Sequence, residues 1–136
     1  MLIALGISDM ADWPRISDVP GMIPLGVVLI IIGVALSVSA AFLFRREGTE
    51  LNPTSITNRK LVTSGPFSFT RNPMYLGLVL VTLGIAFCAG VWPMFLAPVA
   101  TFATANWAHI PFEEAKMRRQ FGADFEAYTS KVRRWI

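Results

Sequence analysis

The chain has 136 residues, of which 54% are hydrophobic and 15% are charged, and its formal net charge is +3. The charged residues form clusters between long uncharged runs, which excludes an ordinary soluble domain with interleaved polar and apolar residues. The basic residues border the apolar runs, so they favour anionic lipid over nucleic acid as a partner. A single cysteine and a single histidine argue against a zinc site, and no metal is expected.

Three uncharged apolar runs predict an all-α integral membrane protein with about three transmembrane helices, folded as a single domain over residues 1–136. The first run, residues 22–44, is long enough to cross a hydrocarbon layer of about 30 Å. The second run, residues 73–89, is near the short limit for a span. Gly90 ends it, and the third run, residues 91–109, is expected to return as the other arm of a helical hairpin.

The basic residues predict the orientation of these spans. The central loop, residues 45–72, and the tail, residues 110–136, carry most of the lysines and arginines. The N-terminal segment has only Arg15 beside three aspartates. The positive-inside rule therefore predicts a protein of the inner (plasma) membrane, with its N-terminus outside and its loop and tail in the cytoplasm.

Small residues recur at every fourth position of two predicted spans, which allows close helix approach in lipid. The rows are Gly33, Ser37 and Ala41 on the first span and Ala97, Thr101 and Ala105 on the third. Packing within one helix bundle is one interpretation, and homodimerisation through one row is the other. Because Met1–Ile7 is too short to cross the bilayer, we expect a second copy or lipid to cover the first helix.

The tail is predicted to form amphipathic helices rather than a span. Pro111 suits the first turn of one helix and Gly122 suits its end, and a second helix is expected from about Asp124. An apolar stripe runs along this region through Phe121, Phe125, Tyr128, Val132 and Trp135. The stripe can lie on the membrane surface or pack against the central loop.

The first group of candidate functional residues lies where the central loop meets the second span. Asn72 and Pro73 are predicted to be the N-cap and first residue of that helix. Arg71 would then stand at the positive end of a helix, where an anion such as a carboxylate is favoured. The alternative for Arg71 is a lipid-phosphate anchor. Tyr75 can be an interfacial aromatic residue or can face a ligand cation.

The second group follows the third run. Asn106, His109 and Glu113 are spaced to share one helix face. Adjacent carboxylates at the end of a span are costly unless they are paired or used. Glu114 is expected to pair with Arg118 at the favourable i, i+4 spacing, which leaves Glu113 as the freer carboxylate. The alternative is a solvated first turn that the helix dipole stabilises.

The last two thirds of the chain resembles the isoprenylcysteine carboxyl methyltransferase and phospholipid methyltransferase superfamily, in its small bacterial form. The resemblance rests on an ordered set of segments: Asn52-Pro53, Gly65-Pro66-Phe67, Arg71-Asn72-Pro73-Met74-Tyr75-Leu76-Gly77, Glu113-Glu114, Phe121-Gly122, Tyr128 and Val132-Arg133-Arg134-Trp135. Asn72 departs from the eukaryotic carboxyl methyltransferases, which are similar but have histidine there.

The resemblance implies a membrane methyltransferase that uses S-adenosylmethionine and methylates a lipophilic or small acceptor, such as a carboxylate, thiol or amine. It implies a cytoplasmic cofactor pocket, for which the candidates are Arg71, Asn72, Tyr75, Gly77, Glu113 and Glu114, with His109 added as a neighbour of Glu113. Arg71 and Glu113 are the catalytic candidates. The alternative is a non-catalytic membrane protein or a small transporter-like subunit. No charged residue lies within the three runs, which argues against a transporter.

Overall fold

The computed structural model describes residues 15, 18–47 and 60–136, and the regular elements of these ranges are helical apart from an isolated bridge between Arg15 and Val91. The α-helices are α1 (Met22–Arg46), α2 (Pro73–Ala89), α3 (Leu96–Thr104), α4 (Ile110–Phe121) and α5 (Ala123–Lys131). The all-helical prediction is confirmed for these ranges. The predictions for Met1–Ile7 and for Asn52-Pro53 lie outside them.

The two longest helices, α1 and α2, pack against each other through glycines. A Cβ atom on Gly77 would lie 2.5 Å from the carbonyl oxygen of Gly33, and one on Gly26 would lie 2.6 Å from that of Gly84. Only glycine permits so close an approach of the two backbones. The residue that lies later in α1 contacts the one that lies earlier in α2, so the two helices are antiparallel. The small-residue face of the first predicted span is thus used within the chain, and homodimerisation stays a prediction.

The opposite face of α1 is apolar and exposed. Among the described helices, α1 is the one that is long and apolar enough to cross a bilayer. Of the residues in its most apolar stretch, 11% are buried. Ile31 and Phe42 are 62% and 65% exposed. α1 contains the predicted first span, and α2 has the bounds of the predicted second span, residues 73–89, because Pro73 begins the helix and Gly90 ends it.

The third predicted span, residues 91–109, is not a single α-helix. A 3₁₀ turn (Trp92–Phe95) leads into α3, and a π-helical segment (Ala105–His109) joins α3 to α4. The backbone N–H of Ile110 donates to the carbonyl of Ala105, and His109 keeps right-handed helical dihedrals. Pro111 lies in the first turn of α4 and Gly122 follows its last residue, as predicted, but the backbone reaches α4 from α3 without leaving helical dihedrals. The wider turn accommodates a proline that has no N–H to donate.

The tail packs against the segment that precedes α2. A 3₁₀ turn (Gly65–Ser68) carries Phe67 into a buried cluster with Ala40, Val62, Phe125, Tyr128 and Val132. The Tyr128 hydroxyl donates to the carbonyl of Phe67 at 2.7 Å, so the buried phenol of this cluster has a hydrogen-bond partner. Of the two alternatives for the apolar stripe, the structure adopts packing against the central loop.

Candidate active site

A cavity of about 390 Å³ lies among α1, α2, α4, α5 and the segment before α2. This volume is within the range of about 300–1,000 Å³ that is typical of small-molecule sites. Its polar lining comprises Ser37, Arg71, Asn72, Tyr75, Glu113, Glu114, Lys116 and Tyr128. The remaining lining is apolar and includes Phe44, Phe67 and Met117. The cavity therefore combines a charged end with an apolar wall.

Glu114 holds the charged end of the cavity together. Its side chain is 7% exposed and pairs with the guanidinium of Arg71 at 3.2 Å and with that of Arg134 at 2.9 Å. The predicted pair with Arg118 is wrong, because α4 turns Glu114 toward the cavity and Arg118 binds Glu126 at 2.7 Å instead. Glu114 is also not the solvated first-turn residue that the alternative described.

Arg71 lines the cavity and directly precedes Asn72, the N-cap residue of α2. Its side chain is 14% exposed, and its backbone N–H donates to the carbonyl of Arg133 at 3.0 Å. Its Nε is buried and has no hydrogen-bond partner in the part of the chain that the structure describes. A buried donor without an acceptor costs about 1–3 kcal/mol, so an acceptor in the cavity, above all an anion, would be stabilised there.

Asn72 occupies the predicted N-cap position of α2, and Pro73 is the first helical residue. The Asn72 side chain does not cap the helix, however. Its amide donates to the carbonyl of Arg134 at 2.9 Å, and its backbone N–H donates to the Thr70 hydroxyl at 3.2 Å. Asn72 therefore fixes the C-terminal segment against the start of α2.

Tyr75, Glu113 and His109 form a contiguous group at the junction of α2 and α4. The Tyr75 hydroxyl donates to the Glu113 carboxylate at 2.8 Å, and the rings of Tyr75 and His109 stack with centroids 5.9 Å apart. Burial raises the pKa of the Glu113 carboxyl above its usual range, and the hydrogen bond from Tyr75 opposes that shift. Glu113 can therefore accept a proton more readily than a solvated carboxylate.

Two predicted site residues are not in the cavity lining. Gly77 is buried where α2 crosses α1, and a Cβ atom there would overlap the Ser37 hydroxyl. Its small size serves helix packing. His109 is exposed, and its ring stacks on Tyr75 from outside the cavity lining.

The family model described as phospholipid methyltransferase matches residues 22–124 of the chain. The chain belongs to the phospholipid methyltransferase family. Two rice proteins, each named probable protein-S-isoprenylcysteine O-methyltransferase, from Oryza sativa subsp. indica and subsp. japonica, are 29% identical to it over 133 residues. The alignment covers 93% of this chain and 66% of each relative, so the chain spans just under two thirds of their length. No solved structure matches the chain significantly.

The match to the phospholipid methyltransferase family confirms the resemblance inferred from the motifs. The matched region ends before Arg134 and Trp135, which belong to the motif Val132-Arg133-Arg134-Trp135 but were not among the predicted site residues. Arg134 binds Glu114, and the indole N–H of Trp135 donates to Asn106 at 3.0 Å. Their signals in the sequence are that motif and their position directly after Val132, the last buried residue of the apolar stripe.

Proposed function

We propose that this protein is a membrane-embedded methyltransferase that uses S-adenosylmethionine and methylates a lipophilic or small acceptor. Membership in the phospholipid methyltransferase family supports the reaction class. The observation that carries the proposal is the cavity itself, in which Arg71, Tyr75 and Glu113 lie at a charged end beside an apolar wall. A site of this kind suits a charged cofactor and a lipophilic substrate together.

The residues present fit the cofactor that the family implies. The Arg71 guanidinium, which lines the cavity and has one donor without an acceptor among the described residues, suits the carboxylate of the cofactor, because charge-assisted hydrogen bonds of this kind are short and strong. Glu113 suits its ammonium or its ribose hydroxyls, and Phe67 belongs to an apolar wall that suits the adenine ring. When bound, S-adenosylmethionine supplies a methyl group that is activated on a sulfonium.

The contribution of the chain to the reaction is positioning. Glu114 and Arg134 orient the Arg71 guanidinium, and the Tyr75 hydroxyl orients the Glu113 carboxylate. The aromatic face of Tyr75 favours a nearby cationic centre. Because these groups are prearranged at the cavity, orientation accounts for the rate acceleration in this proposal.

The exposed surface of α1 supports a location in the lipid bilayer. Leaving its valine and isoleucine side chains in water costs about 25 cal/mol for each Å² of apolar surface, whereas hydrocarbon imposes no such cost. In this proposal, α2 and residues 91–109 form two further spans. Trp92 and Trp107 are 58% and 71% exposed near the ends of the third span, as interfacial tryptophans are. The charge asymmetry supports a cytoplasmic active site in the inner membrane.

The outer face of α2 supports an entry route for a lipophilic acceptor. Leu78 lines the cavity, and it is also 48% exposed on α2, one turn beyond Met74. An acceptor can thus reach the cavity from the hydrocarbon, and the cofactor can enter from the cytoplasm. The names of the rice relatives make a prenylcysteine carboxylate the first acceptor to test, followed by thiols and amines.

Calorimetry with S-adenosylhomocysteine tests the assignment of Arg71 and Glu113. Losing one partner of a desolvated charged hydrogen bond costs about 2–5 kcal/mol. Arg71→Ala and Glu113→Gln should therefore each weaken binding by about a hundredfold, which corresponds to about 2.7 kcal/mol. Arg15→Ala and Lys131→Ala are controls, because both side chains are exposed and lie outside the cavity lining.

A second ligand separates the carboxylate contact from general damage. Methylthioadenosine lacks the amino-acid part of the cofactor, so Arg71→Ala should leave its affinity nearly unchanged. Small and equal losses of S-adenosylhomocysteine affinity in all four variants would mean that the cluster is only a membrane anchor, and would contradict the proposal.

A further inference from the structure

The last residues of the chain make contacts at the cavity that neither the motifs nor the family match assigns. Val132 has extended dihedrals, and Arg133, Arg134 and Trp135, here called the C-terminal clasp, follow it. The Arg133 carbonyl accepts from the backbone N–H of Arg71 at 3.0 Å. The Arg134 carbonyl accepts from the Asn72 amide at 2.9 Å and from the Thr70 hydroxyl at 3.3 Å. The clasp is thus joined to the segment that carries Arg71.

The side chains of the clasp bind α4 and the π-helical segment. The Arg134 guanidinium donates to both carboxylate oxygens of Glu114, at 3.3 and 2.9 Å, and contacts Asn106 at 3.4 Å. The Trp135 indole N–H donates to the same Asn106 oxygen, and its ring lies 4.8 Å from that of Phe102. The clasp therefore connects the two halves of the site.

The geometry at Glu114 gives Arg134 a specific consequence for Arg71. Glu114 receives one contact from Arg71, through Nη2, while Arg134 engages both carboxylate oxygens. An arginine and a carboxylate frequently form two parallel hydrogen bonds. Without Arg134, Glu114 would be free to close on Arg71 in this way and to take the Nε donor that now has no acceptor among the described residues.

We propose that Arg134 is a positioning residue, which holds Glu114 so that Glu114 does not engage the whole Arg71 guanidinium and a donor of Arg71 remains for an anionic group of the ligand. This inference rests on the proposed function, in which that group is the cofactor carboxylate. Arg134 itself acts through Glu114 and Arg71.

Calorimetry with S-adenosylhomocysteine measures the effect directly. Arg134→Ala should weaken binding about tenfold, a moderate loss because the Arg134 side chain is 35% exposed. Arg134→Lys keeps the charge but cannot bridge both oxygens in a planar fork, so its affinity should lie between wild type and Arg134→Ala. Lys131→Ala, an exposed lysine outside the clasp, should change binding less than about twofold. Circular dichroism of each variant verifies that the helices are retained.

Two further readouts distinguish positioning from support of the fold. In a Glu114→Gln background, Arg134→Ala should cause no additional loss, because residues that act through one partner are not additive. Methylthioadenosine, which has no carboxylate, should bind wild type and Arg134→Ala equally. If Arg134→Ala does not fold, the same comparisons with Arg134→Lys decide the question.

The outcomes also separate this inference from the proposed function. A wild-type protein that binds no S-adenosylhomocysteine would overturn both. A wild-type protein that binds it, together with full additivity in the Glu114→Gln background or equal losses for the two ligands, would overturn the role of Arg134 alone.

Discussion

Replacing Glu114 with glutamine removes the charge that links three segments of the chain. The Glu114 side chain is 7% exposed, and its partners are Arg71, which is 14% exposed, and Arg134, which is 35% exposed. Breaking a buried ion pair from one side costs about 3–5 kcal/mol, because the remaining charge is left uncompensated. Glutamine still accepts a hydrogen bond and Arg134 can turn toward water, so we expect a loss of about 3 kcal/mol, at the lower end of that range.

The loss can be measured by denaturant unfolding of the purified protein in mild detergent, followed by circular dichroism. Glu126→Gln is the matched control, since Glu126 also pairs with an arginine, Arg118, but both side chains are about half exposed. An exposed pair contributes about 0–1 kcal/mol, so the control should stay close to wild type. Similar small changes in both variants would refute the claim that Glu114 is the buried centre of the site.

Three further predictions concern helix packing, ionisation and topology. Gly77→Ala should lower the free energy of unfolding by about 2 kcal/mol, because its Cβ would meet the backbone of Gly33, and wild-type stability would contradict that close approach. Burial raises the pKa of Tyr128 to about 12. In a Tyr75→Phe variant, near-ultraviolet absorbance should therefore show that Tyr128 is half ionised near that pH. Ionisation near the ordinary value of about 10 would contradict the burial of this phenol. Because the folded-state pKa of Tyr128 is the higher one, its contribution to stability should be complete below about pH 10 and be lost as the pH rises through about 12. In a Cys88→Ser background, a cysteine that replaces the exposed Asp18 should react with an impermeant label from outside the cell. A cysteine that replaces the exposed Ser130 should react only after the membrane is permeabilised. The reverse pattern would contradict the predicted topology.

The longest elements were predictable because their ends are marked by local chemistry. α2 begins at Pro73 and ends before Gly90, which are the residues that start and stop a helix without help from tertiary contacts. The π-helical segment was not predictable in the same way. Pro111 indicated the first turn of a helix. The sequence did not indicate that the backbone continues from α3 into that helix through a wider, π-helical turn.

The partners of charged residues were harder to predict than their positions. Sequence spacing favours Arg118 as the partner of Glu114, but the fold brings Arg71 and Arg134 to it from distant parts of the chain. Gly77 shows the same limit, because a small residue in a motif can serve a ligand or a helix crossing, and the sequence does not distinguish them. Arg71, Tyr75, Glu113 and Glu114 were all chosen from motifs, and all four line the cavity.

Calorimetric titration of the purified wild-type protein with S-adenosylmethionine and S-adenosylhomocysteine is the most direct test of the proposed methyltransferase function. Both ligands should bind saturably at one site per chain and compete with each other. They should also protect the protein against unfolding, since a ligand that binds only the folded state stabilises it. Absence of binding for both ligands, in a preparation with full helical circular dichroism, would contradict the proposal that this cavity holds the methyl donor.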